Sequence, residues 1–347
     1  MKRVSLRLLL VGIMGMACTL AAADERGRIL SRSTLAMGTA VQVRVYSDGH
    51  RPDSEIEQAM DRALEEFRRL EALMTTWRQD SDVSRINAAA GQRPVVVSPE
   101  VLEVVQRSLV FSRRSQGAFD ISFYALRGLW RFDGEITPHL PDPQEIAARR
   151  RLIDWRQIRV DPRQRTVMLL RPGMAIHLGG IGKGYAVDAA SRLLREAGFP
   201  DHVVQAGGDL MLAGTKGGVP WMAGVRDPRG GPEEVFAVCP VQDHAFSTAG
   251  DYERSFILGG RRYHHILDPR TGYPATAARS VTIYAPDATT ADGLDDAVFI
   301  LGPERGLRLV ESTPGVGAII VDAHNRVHIS SRLKGRVQIL RPPSPGL

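Results

Sequence analysis

Between residues 39 and 46 apolar and polar side chains alternate, with Val41, Val43 and Val45 on one side and Gln42 and Arg44 on the other. That is the period of a half-buried strand. The period then changes. Ile56, Met60, Ala63, Phe67, Leu70, Met74 and Trp77 recur at steps of four and three, which predicts one apolar face of a long helix, with Ser54-x-x-Glu57 as its capping box. Ser98-Pro99 predicts the start of a second helix that Gly117 closes, and Asp142-Pro143 the start of a shorter one. After Ile158 short strands, among them 174–178 and 203–206, alternate with glycine-rich turns and are interrupted by helices at 185–196, 291–301 and 303–311. The mixture argues for an α+β fold, with mixed or antiparallel sheets and packed helices, rather than a regular βαβ array. The proline-rich tail 341–347 reads as frayed. No repeat or linker divides residues 24–340, which read as a single unit.

The N-terminus reads as an address. Lys2, Arg3 and Arg7 precede an apolar stretch over 8–20 that is too short to span a bilayer, and Ala21-Ala22-Ala23 before Asp24 offers small residues for a signal peptidase. A signal peptide over 1–23, cleaved to release a periplasmic protein, is therefore expected. Lipidation of Cys18, giving an inner-membrane lipoprotein, is the lesser alternative, because Gly15-Met16-Ala17 is a poor lead-in for it. After cleavage Cys239 is the only thiol and reads as core filler.

Composition narrows the classes. With 347 residues, 43% hydrophobic and 24% charged, the chain has enough apolar content for a sizeable core, and two cysteines exclude a disulfide scaffold or a Cys-rich zinc module. The formal charge of +6 raises the question of an acidic partner. Removing the signal leaves 42 basic residues against 39 acidic ones, about +3. Nucleic acid is thus not an expected partner, and membrane association is expected only through Cys18 or through a target protein.

Three glycine-rich segments and two polar ones carry candidate chemistry. Gly179-Gly180-Ile181-Gly182-Lys183-Gly184 between an apolar segment and a helix could expose N–H groups to a phosphate, with Lys183 adding charge, although neither Walker A nor G-x-G-x-x-G spacing is present. A tight packing turn is the alternative. Gly207-Gly208-Asp209 and Ser247-Thr248-Ala249-Gly250-Asp251 each read as turns of small residues that admit a flat ligand or simply turn the chain. Asp292, Asp295 and Asp296 fall on one side of a helix that Thr290 could cap. Their oxygens suit Mg²⁺, or they are a solvated first turn complementing the helix dipole. His264 and His265 should face opposite sides of a strand. A Ser247–His265–Asp268 hydrolase triad can be drawn, but no G-x-S-x-G elbow supports it.

Taken together, Met37-Gly38-Thr39, Met74-Thr75-Thr76-Trp77, Gly117-Ala118-Phe119-Asp120, the 179–188 loop, Gly207-Gly208-Asp209, Ser247 to Tyr252, the turn 265–274 and Ala291-Asp292 resemble the ApbE family of FAD:protein FMN transferases in order and spacing. The resemblance implies Mg²⁺-dependent transfer of the FMN half of FAD to a Thr or Ser hydroxyl, leaving a phosphoester-linked flavin and releasing AMP. It implies FAD contacts at Met37, Trp77, Ala118, Phe119, Asp120, His177, Lys183 and Ile266. Metal ligation falls to the Gly180 carbonyl, Asp292, Asp295 and Asp296, and a base near the hydroxyl to His265. The implied partner is an exported redox protein with a D-x-x-[ST]-G-A-[ST] acceptor motif. An FAD pyrophosphatase and a non-catalytic periplasmic FAD carrier are the alternatives. Four positions depart from the family pattern: His177 stands for Asp, Asp296 for Thr, Ile121 for Pro and Gln205 for Asn. Asp268-Pro269-Arg270-Thr271-Gly272 begins like the acceptor motif, but Tyr273-Pro274 breaks it, so the chain is not expected to modify itself there.

Overall fold

The structure, a computed structural model, describes residues 27–132 and 138–346; the signal-peptide and Cys18 readings lie outside them. Strands β1 (Arg28–Ala36) and β2 (Thr39–Ser47) lead into helices α1 (Asp53–Met74) and α2 (Asp82–Ala88). Then come β3 (Val95–Val96), α3 (Pro99–Arg114), α4 (Pro143–Arg150), β4 (Ile158–Asp161), β5 (Thr166–Leu169) and α5 (Gly182–Glu196). They are followed by β6 (His202–Ala206), β7 (Asp209–Ala213), β8 (Trp221–Arg226), β9 (Val235–Val241) and β10 (His244–Gly250). The chain continues through β11 (Ser255–Leu258), β12 (Arg261–His264), β13 (Ala278–Ala285), α6 (Ala288–Glu311), β14 (Gly317–Asp322), β15 (Val327–Ile329) and β16 (Gln338–Ile339).

Eight strands form one antiparallel sheet in the order β1-β2-β6-β7-β10-β13-β14-β15. Because side chains alternate across a strand, neighbouring residues separate into two cores. Val204, Met211 and Ile320 join the core under α1, α5 and α6, while Val203, Leu212 and Ile319 face the small sheet β16-β9-β8. Three layers result: helices, central sheet, small sheet. Cys239 is buried in the second core. No described helix is long and apolar enough to cross a membrane.

The α+β reading holds, and so do several elements. Val41, Val43 and Val45 are fully buried. Ser98 caps α3 through Val101 N, Gly117 follows that helix at φ 82°, and Asp142 caps α4. The predicted helices 291–301 and 303–311 form a single run, α6, kinked at Gly302, whose φ of 75° suits glycine.

Other elements differ. No Ser54 capping box forms: α1 starts at Asp53 after Pro52, with no side-chain cap. It also ends at Met74, because Thr75 turns extended (ψ 151°), so Trp77 leaves the helix and stands 93% exposed. Asp287, not Thr290, caps α6, taking the Thr290 N–H at 2.8 Å. Residues 174–178 are no strand, since Asn87 and Ile121 supply the backbone partners of Ile176 and His177. Residues 247–250 belong to strand β10 rather than a turn. The tail is not frayed: the Asn325 amide donates to the Pro343 carbonyl at 2.8 Å, and Ser344 donates to Asp227 from N and Oγ.

Candidate active site at the N-terminus of helix α6

The site forms where α5 and α6 cross the end of β7 and β10. Gly184 permits the crossing: a Cβ there would lie 2.3 Å from the Ala288 carbonyl oxygen and 2.7 Å from Asp292 Cβ. One turn later Asp188 accepts hydrogen bonds from the N–H groups of Ala288 and Thr289 at 2.7 and 2.8 Å. It thereby satisfies donors that a helix start leaves open. The packed helices set the position of Asp292 and Asp295, both nearly inaccessible, with Asp296 at their edge. The solvated-turn reading of these carboxylates is therefore overturned.

Asp209 and Ser247 complete the group; the sequence does not single them out as cation-site residues, Ser247 appearing there only in the hydrolase triad. They are direct partners across β7 and β10. Carboxylate oxygens of Asp209, Asp292 and Asp295 lie within 4.8 Å of one another. Ser247 Oγ is 2.5 Å from both Asp209 Oδ1 and Asp295 Oδ2. One hydroxyl has one proton, so it cannot donate to both; a proton on one carboxyl or a cation is needed to settle the cluster. Burial, then Asp209, pushes the Asp292 carboxyl up to about 7 against the pull of Lys183. Asp295 is also raised, by burial and then by Asp296 and Asp292. Asp296 is pushed up to about 6 by burial, with Lys183 opposing. A buried, all-oxygen set with excess negative charge of this kind fits a hard divalent cation.

Lys183 Nζ stands 2.8 Å from Asp209 Oδ2, an ion pair outside aligned hydrogen-bond geometry, and 3.4 Å from Asp292 Oδ1. Burial opposes its charge, but Asp209 and Asp292 outweigh that and raise its pKa. The glycine turn is less open to an anion than its composition implies. Gly184 N–H donates to Asp292 Oδ2 at 2.8 Å, Gly182 N–H to the Leu178 carbonyl and Gly179 N–H to His177 Nδ1. The carboxylate of Asp292 occupies the place at the helix start where the sequence suggests a phosphate.

The remaining candidates surround this cluster. A Cβ on Gly180 would lie 2.9 Å from Asp296 Oδ2 and 3.3 Å from the Phe119 ring, which places all three together. Ala118, Phe119 and Asp120 are buried, and Asp120 binds Ser122 N and Oγ and Trp155 N. Burial raises its carboxyl to about 6 despite those donors. The His177 ring lies 5.0 Å from that of Tyr124, whose hydroxyl reaches Thr76, next to Trp77. His265 N–H donates to the Arg254 carbonyl, and the Arg254 guanidinium reaches the Gly38 carbonyl beside Met37. His177 is pushed down to about 4 and His265 to about 3, first by burial, then by Arg254 and Lys183 for both, with His264 also acting on His265. Ile266 is buried in the main core. His264, the last residue of β12, bonds the Ala275 carbonyl at 2.8 Å, while His265 lies in the bend after the strand, so the two do not alternate within one strand as expected.

The hydrolase triad does not form. Ser247 is held between Asp209 and Asp295, Asp268 is clamped by Arg270 at 2.7 Å, and His265 Nδ1 is buried without a hydrogen-bond partner.

The ApbE family model matches residues 37–320. The FAD:protein FMN transferase of Treponema pallidum (strain Nichols) is 35% identical over 93% of this chain and 93% of its own length. Among solved structures, the ApbE protein of Thermotoga maritima superposes with a TM-score of 0.79 at 34% identity, covering 89% of this chain and 99% of that one. The flavin transferase ApbE of Vibrio cholerae gives 0.77 at 28% identity, again over 89% and 99%.

Proposed function

The chain belongs to the ApbE family, and from that membership we propose that its Asp209–Asp292–Asp295 cluster is where FAD is cleaved and its FMN half passed on. It is an FAD:protein FMN transferase, moving FMN from FAD to a protein. The single observation that carries the finer reading is the buried, all-oxygen carboxylate cluster built onto the start of α6. Mg²⁺, held there by Asp292, Asp295 and Asp209 with Asp296 and the Gly180 carbonyl at the edge, would neutralise the pyrophosphate and polarise its phosphorus.

The chain's own residues supply the rest. A Thr or Ser hydroxyl of the acceptor attacks the FMN phosphorus, the bond to the bridging oxygen breaks, and AMP leaves with that electron pair. His265 is neutral at pH 7 because burial and nearby cations disfavour its charge. In that state it can accept the hydroxyl proton, and an anionic pyrophosphate beside it strengthens it as a base. Lys183 and His177 bracket the phosphates, while Ala118, Phe119, Asp120, Ile266 and Met37 wall the FAD site. Trp77, exposed and with its backbone N–H donating to Thr75 Oγ1 at 3.1 Å, offers a flat face to an aromatic ring. Trp77→Ala is expected to raise the KM for FAD roughly tenfold with little change in kcat, the pattern of lost uniform binding.

The apolar run over 8–20 and the small residues at 21–23 support export through a cleaved signal and action in the periplasm on a redox protein bearing D-x-x-[ST]-G-A-[ST]. Incubating the mature chain with FAD, Mg²⁺ and a peptide of that motif tests the reading. AMP and peptide-bound flavin should appear in equal amounts. AMP with free FMN would assign hydrolysis instead, and FAD binding without AMP would contradict both.

A further inference from the structure

We propose that Lys183 is the resident cation of the carboxylate cluster and that an arriving divalent ion displaces its ammonium from Asp292. The inference rests on reading the cluster as a cation site. Asp209 and Asp292, the two carboxylates paired with Lys183 Nζ, are two of the three whose oxygens converge. Asp209 Oδ1 already takes the Ser247 hydroxyl and Asp292 Oδ2 the Gly184 N–H, so the oxygens left for an ion are the two that face the ammonium.

Exposure gives the arrangement a direction. The side chains of Asp209 and Asp292 are 3% exposed, that of Lys183 29%. The Lys183 side chain as a whole is therefore more open to solvent than the carboxylates it pairs with, and its ammonium lies 3.4 Å from the Gly179 carbonyl. Lys183 sits in the first turn of α5 on a flexible stem ending in a compact charge, so it can leave one oxygen and remain beside the site. Before the ion arrives it offsets repulsion among the buried carboxylates. Afterwards it is free to meet an anion next to the ion. Uptake of the ion and of an anionic substrate is then linked, each favouring the other.

The sequence makes a clean test available, since it contains only four lysines: Lys2, Lys183, Lys216 and Lys334. Lys216 and Lys334 are exposed and serve as internal references. The full chain, free of FAD, is acetylated with limiting reagent with and without Mg²⁺ and its peptides are quantified by mass spectrometry. Saturating Mg²⁺ should accelerate labelling of Lys183 roughly tenfold relative to the two references, within the usual range of site coupling. An unchanged or slower rate would overturn the displacement. Independently, Lys183→Gln should bind Mn²⁺ roughly tenfold more tightly than the unaltered chain by calorimetry, because a competitor is gone. Equal or weaker binding would overturn the proposal as well. If the unaltered chain binds neither ion, the cation-site reading fails with it; if it binds Mn²⁺ while Lys183 is unaffected, only the displacement fails.

Discussion

Asp292→Asn is expected to lower kcat for FMN transfer by about 10³-fold or more, the scale of losing charge stabilisation at a reacting phosphorus, while leaving the metal-free fold at least as stable. The two outcomes have one cause. Asn keeps an oxygen for the Gly184 N–H but removes a negative charge from a cluster whose members already disfavour one another. A carboxyl whose folded pKa is raised costs stability as pH rises above its unfolded value near 3.9, and that cost is fully present above the folded value of about 7. In the presence of a chelator, the variant should therefore melt at or above the unaltered chain at pH 8. The difference should vanish near pH 3, where the Asp292 carboxyl is protonated in both the folded and the unfolded chain. A variant that lost activity and also melted lower at pH 8 would make Asp292 a structural residue instead.

Gly184→Ala should fail in the opposite manner, losing both stability and activity. Its Cβ would sit 2.3 Å from the Ala288 carbonyl oxygen, a backbone atom that cannot swing aside. Helices α5 and α6 would have to separate. Overpacking of this kind costs about 3 kcal/mol, readable as a shifted denaturation midpoint with an unchanged slope. Displacing the carboxylates by even part of an ångström should reduce turnover about 100-fold. Retention of both the midpoint and the rate would show that the close crossing of the helices is not what forms the site.

Much of the architecture is legible in the sequence because it is local. The valines of β2 and the apolar face of α1 announce their periods, and Ser98, Gly117 and Asp142 mark helix ends with ordinary capping chemistry. Strand β1 is not legible: it lies at the sheet edge, and although its residues alternate between half-buried and exposed, the half-buried positions are Leu30, Arg32 and Thr34, so no apolar alternation shows in the sequence. The Asn87 amide that supports residues 174–178 is equally invisible, being 89 positions from Ile176.

The site divides along the same line. Asp292, Asp295 and Asp296 are visible as a helical trio, but whether a trio is solvated or buried depends on a close helix contact that Gly184 permits. Asp209 and Ser247 each read as part of an ordinary small-residue segment. Only the register of β7 against β10 sets one opposite the other. The motif resemblance carries the family, and Asp209 and Ser247 both lie inside motifs that it uses. Their sequence signal as partners of the α6 carboxylates is membership in those motifs; the one local reading offered, Ser247 as a hydrolase nucleophile, points to a different constellation.

If the carboxylates at the start of α6 hold the cation that acts on FAD, anomalous diffraction from crystals of residues 24–347 soaked with Mn²⁺ and FAD shows it most directly. A manganese peak is expected at coordinating distance, about 2.0–2.6 Å, from oxygens of Asp292 and at least one of Asp209 and Asp295, with the FAD pyrophosphate alongside. FAD bound with its pyrophosphate elsewhere, or manganese absent from this cluster while present at another site, would contradict it.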